Sequence, residues 1–178
     1  DKPRHRTLGL FPILTTVRKT CIALPGGHSA MITFSELHRQ IHKITELSNV
    51  FIYLIQDRSM CDTDCACELF FEYKKRVKEH IELVDQKLCG KLISYPDQKI
   101  NNTADRFLSG SVEIKKIFSD YIKEWCSEKD HALTIHDHDE FVKETEEMFD
   151  LVLDRIQRET EHLYPLIRKL EDGDRLAA

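Results

Sequence analysis

From Ser35 onward, apolar residues recur at three- and four-residue intervals in four long stretches separated by turn and cap residues, the period of helices that bury one face. The first stretch, about Ser35 to Gln56, aligns Leu37, Ile41, Ile44, Ser48, Phe51 and Ile55 on one stripe. A turn over Asp57–Asp64 leads to a second, about Cys65 to Ser94, with Phe70, Tyr73, Val77, Ile81, Val84 and Leu88 inward, and Pro96-Asp97 closes that pair. The third, about Thr103 to Cys126, presents Ala104, Phe107, Ser111, Ile114, Phe118, Tyr121 and Trp125. The fourth, about Asp139 to Leu170, presents Phe141, Thr145, Met148, Val152, Ile156, Leu163, Leu166 and Leu170, with a kink expected at Pro165. Four amphipathic helices joined by shorter links predict an all-α fold, an antiparallel four-helix bundle over residues 33–171.

Before that bundle, Pro3, Pro12, Pro25, Gly26 and Gly27 break every period, so residues 1–32 are expected to be an irregular N-terminal extension, and residues 172–178 a frayed tail. Lys2, Arg4 and Arg6 ahead of Leu8–Leu14 have the order of a secretion signal, but Pro12 interrupts the apolar patch and no cleavage site follows. The chain of 178 residues suits one domain, and 31 acidic against 26 basic residues give a net charge of −5, which disfavours nucleic acid as a partner. No apolar run approaches the roughly 18–20 residues of a membrane span. Six cysteines are too few for a disulfide-built scaffold, and a cytoplasmic location is expected. Asn101-Asn102-Thr103 is a glycosylation triplet of the kind that arises by chance.

Two stretches carry the candidate chemistry: His80-Ile81-Glu82-Leu83-Val84-Asp85-Gln86-Lys87-Leu88 on the second helix and Arg155-Ile156-Gln157-Arg158-Glu159-Thr160-Glu161-His162-Leu163-Tyr164-Pro165 on the fourth. Together they resemble the hemerythrin-like, or HHE cation-binding, family, whose bundle carries His-x-x-x-Glu units on its second and fourth helices and further histidines on the first and third. The resemblance covers about Ser35 to Leu170. It implies iron or another divalent cation held in the bundle, with a role in sensing, carriage or regulation related to iron, oxygen or nitric oxide, and without enzymatic turnover.

Carried over position by position, that pattern gives metal ligands at His80, at Asp85 in place of the expected carboxylate at Val84, at Glu159, and at His38 or His42, of which the stripe favours His38. Arg155 and Ser111 stand where histidines would be, so the surviving set is about half of a di-iron site. One divalent ion completed by water is one reading. The other is metal-free: Arg155 and Glu159 are four apart on one helical face and pair directly, and the protein is an interaction or regulatory module with an unknown protein partner. A third possibility is a cysteine-based redox sensor using Cys61, Cys65 and Cys67, which cluster at the start of the second helix. In His136-Asp137-His138-Asp139-Glu140 before the fourth helix, with His131 nearby, Asp137 or Asp139 is expected to cap that helix with acidic residues in its first turn, the other reading being a surface metal bound by the cluster. No phosphate loop, nucleophile elbow or His-Glu-x-x-His unit is present.

Overall fold

The computed structural model describes residues 34–177, with side chains to residue 170; the expected N-terminal extension lies outside the described residues. The described chain is all-α apart from one short hairpin. The elements are α1 (Phe34–Ile55), α2 (Arg58–Cys61), α3 (Asp64–Leu83), a π-helical turn (Val84–Cys89), α4 (Gly90–Ile93), α5 (Gln98–Trp125), β1 (Cys126–Ser127), β2 (Ala132–Leu133), α6 (His138–Arg158), a second π-helical turn (Glu159–Leu163) and α7 (Tyr164–Ala177).

Helix starts follow side-chain capping. Asp57 accepts from the Ser59 amide to start α2 inside the stretch read as a turn, and Thr63 accepts from the Ala66 amide to start α3. Asp97 accepts from the Lys99 amide at 2.7 Å, so α5 begins at Gln98, one and a half turns before the expected Thr103. Pro96-Asp97, read as the end of one helix, is therefore also the start of the next. Asp137 accepts from the Glu140 amide and opens α6, as one of the two expected caps.

The second helix, expected to run unbroken, and the fourth, expected to kink at Pro165, each contain a widened turn. In the fourth, Glu159–Leu163 lies just ahead of Pro165, whose ring would otherwise meet the Glu161 carbonyl and which offers no N–H to it. Gly173 does not stop the chain: the backbone of α7 continues to Ala177, so the residues expected to fray are helical, at a cost for one helical glycine of about 1 kcal/mol. The hairpin, with Cys126 opposite Leu133 and Ser127 opposite Ala132, was not expected, because two-residue strands carry no periodicity to read.

α1 packs on α3 and α6, and α5 packs on α6 and on the first π-turn. The larger core cluster holds Phe51, Phe70, Tyr73, Phe149, Phe141 and Trp125, with Tyr73 stacked on Phe149 at 3.9 Å between centroids. A smaller cluster gathers Leu37, Val84, Leu88, Leu92, Ala104, Leu163 and Ile167. Of the predicted stripe residues, Ile41, Phe107, Leu166 and Leu170 are half-buried and the rest are buried. On α3, half-buried Glu72 and Arg76 pair at 2.6 Å, one turn apart. Among the described residues no helix is long and apolar enough to cross a membrane.

Candidate functional site: a buried ion-pair network

Five residues that sequence reasoning placed at the heart of the fold meet in one buried polar layer. Glu159 is 0% exposed, Ser111 1%, His80 2% and Arg155 7%, and the Asp85 side chain is 12% exposed. A buried charge is tolerated only where opposite charge and hydrogen bonds replace its water. Here both are supplied.

Arg155 is the centre. Its Nε donates to Glu159 Oε1, Nη1 donates to the Phe107 carbonyl at 2.9 Å, and Nη2 donates to Ser111 Oγ at 2.7 Å. Ser111 passes the contact on, its hydroxyl donating to Asp85 Oδ1 at 2.5 Å, while Lys115 Nζ donates to Asp85 Oδ2 at 2.7 Å from the surface side. Arg155 Nη2 also lies 3.9 Å from Asp85 Oδ1. The guanidinium plane sits over the Phe107 ring, 5.0 Å from its centroid, so its uncharged face is covered as well.

On the other side, Glu159 Oε2 lies 2.9 Å from His80 Nε2. Gln40 fixes the tautomer. Its Nε2 donates to the Glu36 carboxylate at 3.3 Å, which turns Oε1 towards the imidazole, and His80 Nδ1 donates to that oxygen at 3.2 Å. His80 thus bridges the two neighbours, Gln40 through Nδ1 and Glu159 through Nε2. Burial together with the nearby Asp85 charge pushes the neighbouring Cys89 thiol up to about 12, so it adds no anion to the layer.

Both carboxylates come from π-turns, Asp85 from Val84–Cys89 and Glu159 from Glu159–Leu163. A π-turn re-aims side chains that a regular helix would carry past the seam. This is how Asp85, one position beyond the stripe residue Val84, reaches the layer.

Gly110 makes room for the guanidinium. A Cβ at this helical position would lie 3.1 Å from Arg155 Nη1, tighter than the ordinary contact, and Nη1 is tethered to the Phe107 carbonyl and cannot swing away freely. Gly110→Ala is therefore expected to destabilise the protein although alanine is the better helix former by about 1 kcal/mol. In an Arg155→Ala background the same substitution becomes stabilising. Urea unfolding of the four proteins measures this sign change; the same sign in both backgrounds would contradict the packing.

The other expected ligands are not brought here. His38 and His42 are exposed on α1. At 100° per residue they stand about 100° and 140° around the helix from buried Leu37, whereas Gln40 stands about 60° from it on the other side and faces His80. Gln40 was missed because it is uncharged, though its place between Leu37 and Ile44 on the stripe was visible. His162 is exposed.

Nor do the cysteines gather. Cys61 is buried, with its thiol raised by burial and directed at the Ile55 and Asp57 carbonyls, while Cys65 is exposed and Cys67 half-buried. The histidines before α6 are used one by one: His131 stacks on Phe71, His136 stacks on Trp125 and His138 Nε2 donates to the Ile55 carbonyl at 2.8 Å. Among the described residues, no three His, Cys, Asp or Glu side chains are grouped so as to hold a metal ion. Compared with known proteins, the chain matches no family model, no curated protein and no solved structure.

Proposed function

We propose that the four long helical stretches form an antiparallel four-helix bundle of the hemerythrin-like kind, in which an ion-pair network stands at the layer where that family holds its cation. On this reading the protein is a metal-free, non-enzymatic interaction or regulatory module, and its polar layer fixes how the helices register against one another. The observation that carries it is the guanidinium of Arg155, bonded to Glu159, Ser111 and the Phe107 carbonyl and 3.9 Å from Asp85.

A cation in such a layer neutralises carboxylates. Arg155 does this with a fixed charge, and His80 serves the second oxygen of Glu159. The remaining donors are too few for iron, which takes about five or six ligands: His80, Asp85 and Glu159 share the layer, whereas His38 and His42 are exposed. The redox reading loses support at Cys61, because a raised thiol is the less reactive form. Apolar surface for a protein contact exists on α1, where exposed Val50 and Tyr53 lie three apart on one face. The free cysteines of the described residues fit a reducing compartment such as the cytoplasm.

Protein expressed with added iron and purified without chelator tests the proposal. The expected result is iron far below one per chain and no near-ultraviolet or visible band from oxo-bridged iron. Stoichiometric iron with that band would overturn the metal-free reading in favour of a cation-binding sensor or carrier.

A further inference from the structure

α3 and α5 meet in a ladder of aromatic contacts that runs in opposite directions along the two helices. Tyr73 faces Phe118 with ring centroids 6.3 Å apart, and Phe70, one turn earlier, faces Tyr121, one turn later, at 6.0 Å. The next turn towards the start of α3 brings Cys67, level with the end of α5, where Trp125 is followed by Cys126 at the start of β1. Rotation agrees with level. Lys74 and Lys78 line the side of α3 that faces Lys115, Ser119, Ile122 and Cys126. At 100° per residue, Cys67 stands within about 20° of both lysines, whereas Cys65 stands about 160° from Cys67 and is exposed. Cys126 ends the facing stripe of α5, its amide still donating to the Ile122 carbonyl.

The hairpin that begins at Cys126 is held against the same side of α3. Lys74 pairs with Glu128, and Phe71, one turn after Cys67, stacks on His131 with centroids 3.9 Å apart. Both thiols are free and half-buried, and Cys126 packs against the larger core cluster. Burial pushes the Cys126 thiol up to about 12; Lys74 pulls the other way, and Cys67 is among the groups near enough to add to the rise.

We propose that Cys67 and Cys126 are a redox pair that closes to an intramolecular disulfide by exchange with a low-molecular-weight disulfide such as oxidised glutathione. Cys67 opens the exchange, because burial keeps Cys126 protonated. The Cys67 thiolate attacks one sulfur of the glutathione disulfide and releases the first glutathione thiolate, which takes up the Cys67 proton. Cys126 then attacks the Cys67 sulfur and releases the second glutathione, which takes up the Cys126 proton. The two cysteines together give up two electrons and two protons, and the glutathione disulfide is reduced to two thiols. Few Cys126 thiolates form at one time, but a thiolate of high pKa is the stronger nucleophile and this second step is intramolecular. The closed bond ties the first turns of α3 to the hairpin and closes a loop of about 60 residues, which restricts the unfolded chain. The pair goes beyond the metal-free reading and does not rest on it, since neither cysteine belongs to the layer of Arg155, Glu159 and His80.

Incubation of the full chain in glutathione buffers from reduced to oxidised, followed by alkylation of the remaining thiols and peptide mapping without reduction, tests the proposal. The monomeric protein is expected to lose two thiols and about 2 Da, with Cys67 and Cys126 in one linked pair of peptides. Its urea unfolding midpoint is expected to rise with the bond and to return with dithiothreitol. Cys126→Ser is expected to stop at a glutathione adduct on Cys67, Cys67→Ser to abolish both the link and the rise, and Cys65→Ser to leave both unchanged; circular dichroism confirms that the variants are folded. A disulfide tolerates only about 4.4–6.8 Å between Cα atoms, so a pair out of level would stop at the adduct in the unaltered protein too, and that result would overturn the proposal. So would a bond between other cysteines in its place, a bond between two chains, or a midpoint that fails to rise in the linked protein.

Discussion

Replacing Arg155 by alanine is expected to destabilise the protein by about 3–5 kcal/mol, the cost of leaving one member of a buried ion pair without its partner. The loss has identifiable parts. Glu159, fully buried, would keep only His80 as a partner; the Phe107 carbonyl and Ser111 Oγ would each lose a donor; and a void would open beside the Phe107 ring. Water cannot readily replace these contacts, because His80, Ser111 and Glu159 are each almost fully enclosed. Arg155→Met combined with Glu159→Leu is expected to recover most of the loss, since exchanging a buried pair for apolar residues of similar size is often neutral. Urea unfolding of the two variants against the parent measures both effects. A cost below about 1 kcal/mol for Arg155→Ala, the size typical of exposed ion pairs, would mean that the network is solvated in solution.

The second large effect lies in the aromatic core. Phe51 is fully buried, with ring centroids 5.4 Å from Phe70, 5.8 Å from Phe149 and 6.5 Å from Phe141, so one side chain links α1 to α3 and α6. Phe51→Ala removes a ring that its neighbours cannot replace without leaving their own contacts. A loss of about 3–5 kcal/mol is expected, from the transfer term and the cavity left behind. Thermal unfolding with the parent as reference measures it. A drop in melting temperature corresponding to less than about 1.5 kcal/mol would show that the cluster collapses onto the space, which the three facing rings argue against.

The helices were legible because their apolar residues keep one period over several turns, and Asp137 announced its helix by preceding the acidic first turn of α6. The central pair was legible for the same reason. Arg155 and Glu159 are one turn apart on the stripe that also carries Met148, Val152 and Ile156, so both had to point inward and towards each other. Residues that depend on how one helix meets another were not legible. The π-turns at Val84–Cys89 and Glu159–Leu163 answer to packing, and only Pro165 hinted at the second. His38 and His42 drew attention as ligand types, yet the helix turns both outward, and an amide at Gln40 serves His80 instead. Gly110 looked like an unremarked helix interior until the Nη1 atom of Arg155 gave it a reason.

The metal-free reading makes a demand that iron-loaded folding would break. Any ligand that binds the native state and not the unfolded one raises stability, by about 2.7 kcal/mol at a hundred times its dissociation constant. The decisive measurement is therefore urea unfolding of the unaltered protein under anaerobic conditions, with excess chelator in one series and saturating iron(II) in the other, repeated with His80→Ala. Coincident unfolding curves in chelator and iron are the predicted result, because the Arg155 guanidinium already neutralises the carboxylates that iron would need. A midpoint raised by iron in the unaltered protein and restored to the chelator value by His80→Ala would contradict the account and establish a cation site in the polar layer.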